Sequence, residues 1–213
     1  MTVFRSVVID KGRKHIGSVV IKRKNGESVA SEMPIHVKNP KTIGQVNQRT
    51  DFSTVIEFAK VNSQVAAFGF TTTKKGSTRM NAMFKDIFKN GTAGGVGSKT
   101  IDYPNVKLTR GSLINESGMV ITNVVAGTLV CTYPNSSGTG NALATDKLFV
   151  ATYNLTKKET NFQAGLAARS ASPYNLTIPL SWSGDTVKIY TGFKSVNGKL
   201  VTTSFFAGSH ILT

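Results

Sequence analysis

The stretch N-P-K-T-I-G-Q-V-N-Q-R-T-D-F, Asn39–Phe52, sets the organisation of the chain. Asn39-Pro40 favours an extended or turn geometry and marks a boundary. Thr42 suits an N-cap, and Gln45 three residues later completes a capping box. A helix is expected to run from here to about Val61. At about 100° per residue, Gln45, Gln48, Arg49 and Phe52 share one stripe, which Val55, Ile56 and Ala59 continue. This face starts polar and becomes apolar. Such a face suits Arg49 and the two amides to bonding backbone carbonyls of another segment, with Arg49 partly buried. An ordinary amphipathic helix with a well-made start explains the same residues. Asn39, Pro40, Thr42, Gln45, Gln48, Arg49 and Phe52 form the candidate structural or assembly motif.

Upstream, residues 3–9 read as a strand and Asp10–Lys14 as a basic turn. Ile16–Lys24 and Glu27–Met33 read as a hairpin across Asn25-Gly26. Arg13, Lys14, Lys22, Arg23 and Lys24 form a basic contact patch if these strands pair. The alternative is a solvated edge guarded by lysines. Only Phe4 lies near these charges, so base stacking by this region has weak support.

Downstream, Val65–Thr73 reads as a helix tail or a strand. Ser77 or Thr78 caps a second helix, on which Met80, Met83, Phe84, Ile87 and Phe88 repeat at helical spacing. That stripe reads as core. Asn90-Gly91 ends the helix, with Gly91 suited to a left-handed cap. The glycine-rich loop, residues 91–100, reads G-T-A-G-G-V-G-S-K-T. Ser98 separates Gly97 from Lys99, and the loop follows a helix rather than a strand, so it does not fit a Walker loop. It is expected to be a flexible linker or an assembly arm.

From Val106 the chain is strand-like. Candidate strands are Met119–Val125, Thr128–Tyr133, Asp146–Tyr153, Tyr174–Pro179, Thr186–Phe193 and Leu200–Phe206, at spacings that suit a β-sandwich. The fold class is α+β, mostly β. The expected domains are residues 1–100, a basic hairpin-plus-helix region, and residues 101–213, a β-sandwich.

The chain has 213 residues, of which 39% are hydrophobic and only 17% charged, the balance of a β-rich protein. Its net charge of +15 points to nucleic acid, anionic membrane or acidic protein partners. The charge is concentrated in residues 1–110, with 19 Lys and Arg against 7 Asp and Glu. The one cysteine, Cys131, excludes an intrachain disulfide and reads as a small buried side chain. No apolar run approaches a membrane span. No secretory signal is read, so synthesis in a reducing cytosol is expected. His15, His36 and His210 are isolated, and no carboxylate pair or nucleophile elbow is visible in the sequence. No catalytic, cofactor-binding or metal-binding residue is assigned, and the protein is expected not to be an enzyme.

Four stretches carry a resemblance: Asn39–Phe52, the T-R-G-S-L segment Thr109–Leu113, the run Thr145–Glu159 and the run Leu180–Gly208. In order and spacing they resemble an uncharacterised family of Bacteroidota and their phages, from about Gly12 to Gly208. The resemblance implies an N-terminal hairpin with two helices followed by an immunoglobulin-like sandwich, and it supplies no active-site residues. Gly44, inside the first turn, and the heavily charged hairpin depart from the family pattern. Small, cysteine-poor, β-rich proteins encoded by phages are often virion parts. The expected function is therefore a phage virion structural protein, a ring-forming tail or neck subunit made in the host cytoplasm. Its expected partners are copies of itself, other virion proteins, and DNA through the basic N-terminal half. No membrane, cofactor or small-molecule substrate is expected. The alternative is a free nucleic-acid-binding protein without sequence specificity.

Overall fold

A computed structural model describes residues 2–4, 15–16, 18–24, 27–33, 39, 41–71, 76–116, 118–125 and 127–213. The protein divides into two compact units, residues 1–42 and 43–213. The described residues of the first unit form a four-stranded antiparallel sheet. Its strands are β1 (Thr2–Phe4), β2 (His15–Ile16), β3 (Val19–Lys24) and β4 (Glu27–Glu32), in the order β1-β4-β3-β2. Lys24 pairs with Glu27, the register expected of a two-residue hairpin. The turn residues Asn25 and Gly26 lie outside the described residues, as do Arg13, Lys14, His36 and Pro40.

The second unit opens with three helices, α1 (Ile43–Val61), α2 (Ser63–Gly69) and α3 (Arg79–Asn90). The end of α1 falls where the sequence places it. α2 resolves residues 65–69 of the ambiguous segment as helix, Phe70 bridges to Arg110, and Thr72 and Thr73 lie outside the described residues. Thr78 caps α3 by accepting the Asn81 N–H at 3.1 Å. Gly91 departs from the expected left-handed cap, since its φ is −113°. A Cβ here would meet Val106 Cγ2 at 3.0 Å and its Cα at 3.2 Å, so glycine serves close packing of the chain. A small hairpin follows, β5 (Thr92–Ala93) with β6 (Thr100–Ile101).

Seven further strands complete the unit: β7 (Val120–Val125), β8 (Thr128–Thr132), β9 (Lys147–Asn154), β10 (Glu159–Ala168), β11 (Tyr174–Thr177), β12 (Thr186–Lys194) and β13 (Phe205–Ile211). They form two antiparallel sheets, β10-β9-β12-β13 and β11-β8-β7. β10 is unforeseen from the sequence, and β13 starts later than the expected Leu200–Phe206.

Strand β9 explains the architecture. Leu148 through Asn154 are all buried. Side chains alternate across a strand, so such a run needs cover on both faces. Leu148 and Val150 pack with Leu129, Cys131 and Leu176 of the three-stranded sheet. Ala151 and Tyr153 pack with Val55, Phe58, Met83 and Ile87 of the helices. The order of layers is three-stranded sheet, four-stranded sheet, helices. This corrects the expected boundary between residues 100 and 101, because α1 to α3 share a core with β9 and β12. Asn62 ties the end of α1 to the same sheet. Its side-chain N–H donates to the Phe58 carbonyl at 2.9 Å, and its Oδ1 accepts the Thr160 hydroxyl at 2.9 Å.

Candidate interaction surfaces

The Asn39–Phe52 motif splits in the structure. α1 begins at Ile43, directly after Thr42, and Asn39 is exposed. Gln45, Gln48 and Arg49 are also exposed, and Phe52 is 48% exposed. With Ser53 and Ile56 they line an open groove of about 460 Å³. The motif residues of the helix therefore do share one face, but Arg49 is not buried as expected. Val55 and Ala59 are buried as expected, but the buried stripe begins at Asp51 rather than Phe52 and takes in Phe58 rather than Ile56. Phe52 instead packs its ring against Phe84 of α3, with centroids 4.6 Å apart.

A carboxylate at the top of a buried stripe needs donors, and the glycine-rich loop supplies them. The Gly97 N–H donates to Asp51 Oδ2 at 2.9 Å, and the Lys99 N–H to Oδ1 at 3.1 Å. The Gly97 hydrogen bond holds the Asp51 carboxyl below its ordinary value against the opposing effect of burial. The Lys99 N–H and charge act in the same direction. Gly97 has φ +87°, and a Cβ there would stand 2.5 Å from Asn47 Cγ. Lys99 Nζ lies 4.2 Å from the Phe88 ring centroid and donates to the Phe88 carbonyl at 3.3 Å. Residues 91–100 are thus a closed hairpin clipped to α1, rather than the linker or arm expected. Its tip presents Val96, 77% exposed.

Of the basic patch, Lys22, Arg23 and Lys24 follow one another on β3, and Lys22 is exposed. Arg13 and Lys14 fall outside the described residues.

Sequence reasoning missed a buried charge cluster. Arg169 is fully buried, with Glu116 and Asp146 beside it. Its Nη1 donates to Glu116 Oε1 at 2.6 Å and to Ser136 Oγ at 3.1 Å. Its Nε donates to Asp146 Oδ2 at 3.3 Å, and Nη2 to the Ile114 carbonyl at 2.8 Å. The guanidinium also lies 4.2 Å from the Phe193 ring centroid. The three charged groups are far apart in sequence, so no spacing signals them. All are enclosed, and the cluster joins four segments of backbone, at residues 114–116, 136, 146 and 169.

Among the described residues, no group of three or more His, Cys, Asp or Glu is placed to hold a metal. Among them, no helix is long and apolar enough to cross a membrane. Cys131 is buried, and burial pushes its thiol up to about 12.

Among the described residues the fold is mixed α and β, β-rich, with several antiparallel sheets and three α-helices. The chain belongs to a family of unknown function, DUF6266, which matches residues 10–208. No curated protein and no solved structure matches it.

Proposed function

We propose that the chain is a phage virion structural protein, a ring-forming tail or neck subunit that assembles through contacts between copies. The observation that carries this reading is the four-stranded sheet of residues 43–213. It is antiparallel with an even number of strands, so its edges, β10 and β13, run in opposite directions. Copies set side by side head to tail would bring β13 of one against β10 of the next as an antiparallel pair. Such heterologous contacts close into rings when the rotation permits. Neither Thr160–Ala168 nor Phe205–Ile211 contains a lysine, arginine or proline, the residues that commonly guard an edge against pairing.

The two packed sheets are read as an immunoglobulin-like sandwich. Its first, second and fifth strands make one sheet, β11-β8-β7, and the others the second. In the constant-type arrangement the fourth strand joins the first sheet, whereas here it lies beside the third. Mass spectrometry of gradient-purified virions tests the reading. The chain is expected at stoichiometric amounts, and persistent absence from particles overturns it.

The net charge of +15 favours one second reading, a free nucleic-acid-binding protein. Its DNA affinity would fall steeply with salt. A folded chain that binds no DNA at low salt removes it.

A further inference from the structure

We propose that copies of the chain join in one fixed register, with His210 of one copy opposite Glu159 of the next and Phe206 opposite Phe162. The inference rests on the ring reading and names the residues of its seam. The surface is a pair of open strand edges. Among the described residues, no backbone–backbone hydrogen bond reaches the outer side of residues 160–166 on β10 or 205–210 on β13. Glu159 and Ser209 are exposed, and Thr160, Phe162, Phe206 and His210 are half-buried. Unpaired edges of this kind are templates for another strand.

The rows of the sheet run from one edge to the other. His210 stands opposite Val187, Val187 opposite Asn154, and Asn154 opposite Glu159. Ser209 reaches Thr160 through Lys188 and Tyr153, and Phe206 reaches Phe162 through Tyr190 and Ala151. Phe206 and Phe162 both pack against the helix-side core. A copy that continues each row therefore keeps its helices on the same side as its neighbour's. Copies in a closed ring have no rise between them, so strands running along the ring axis meet level, row to row.

Level rows also match in chemistry. Phe206 meets Phe162 as an aromatic pair, Ser209 meets Thr160 as a hydroxyl pair, and the His210 imidazole meets the Glu159 carboxylate. A slip of two residues sets Ser209 against Phe162 or Lys158 instead, and a slip of one reverses the faces. Ala207, the extra residue of a bulge in β13, interrupts the match once.

The test uses the full chain, in which the native Cys131 is buried. Within one copy, positions 159 and 210 are three strand spacings apart, about 14 Å, too far for a disulfide. On oxidation, Glu159→Cys/His210→Cys should give a ladder of covalent multimers. Either single variant should not, nor should Glu159→Cys/Ser209→Cys, whose thiols lie on opposite faces. Charge variants read the same seam without a disulfide. Glu159→Lys and His210→Glu should each weaken assembly about two- to fivefold by sedimentation, and the double variant should recover it. All variants should keep a cooperative melt. Assembled copies that do not cross-link through 159 and 210, or that cross-link equally in the Ser209 variant, overturn the register and leave the ring reading standing. Charge variants that show no loss and recovery do the same. A chain that stays monomeric overturns both.

Discussion

Substituting Asp51 removes the acceptor shared by the Gly97 and Lys99 N–H groups. Asp51→Ala is expected to lower the melting temperature and to speed amide exchange at both residues, measured by hydrogen exchange. The carboxyl is held below its ordinary 3.8 in the folded chain. As pH falls, the unfolded chain takes up this proton first. The stabilisation is therefore complete above 3.8 and is lost as pH drops through the lower folded value. Asp51→Asn should flatten that part of an acid-melting curve, and an unchanged curve would refute the assignment. Gly97→Ala forces a side chain into left-handed backbone against Asn47, at a cost of about 1–2 kcal/mol from the backbone alone. Arg49→Ala should change stability by less than about 1 kcal/mol in denaturant unfolding, because Arg49 is exposed. Two of these residues explain what the sequence hid. Asp51 carries no local signal in the sequence, because its donors come from a loop more than forty positions away. A glycine-rich loop reads as flexible for the same reason.

The Arg169 cluster ties together the segments that bear Glu116, Ser136, Asp146 and Ile114. Removing its guanidinium leaves two buried carboxylates unpaired, so Arg169→Ala should cost about 3–5 kcal/mol in chemical denaturation. A loss under about 1 kcal/mol would contradict the cluster's structural role. Elements were legible where local chemistry and burial agree. The Met83 and Ile87 stripe of α3 is buried, the Thr78 cap is made, and β8, β9 and β12 follow β-branched and aromatic runs. Strand β10 was not legible. Its E-T-N-F-Q-A-G-L-A-A lacks Val and Ile, and its partner strand fixes it as a strand. The register shift between Ala164 and Ala168 further breaks any alternation. Cys131 on β8 should resist thiol reagents at neutral pH until denaturant is added, a contrast that labelling with a coloured disulfide measures directly.

Within residues 43–213, the four-stranded sheet is covered on both faces, and this determines how the unit can be cut. Residues 101–213 alone would expose Ala151, Tyr153 and Tyr190, which the helices bury. That fragment should aggregate or melt without cooperativity, whereas residues 43–213 should unfold in a single transition. The run L-F-V-A-T-Y of β9, apolar or aromatic except at Thr152, carries this three-layer arrangement in the sequence, because a strand with one wet face would alternate. The partner layers were not legible, since helices and strands that share a core lie far apart in the chain. Assembly is the claim on which the proposed function stands. Negative-stain imaging of the purified full chain over a range of concentrations tests it most directly. The account predicts closed rings of one uniform size. A chain that stays monomeric at every concentration, or grows only into open filaments, would contradict it.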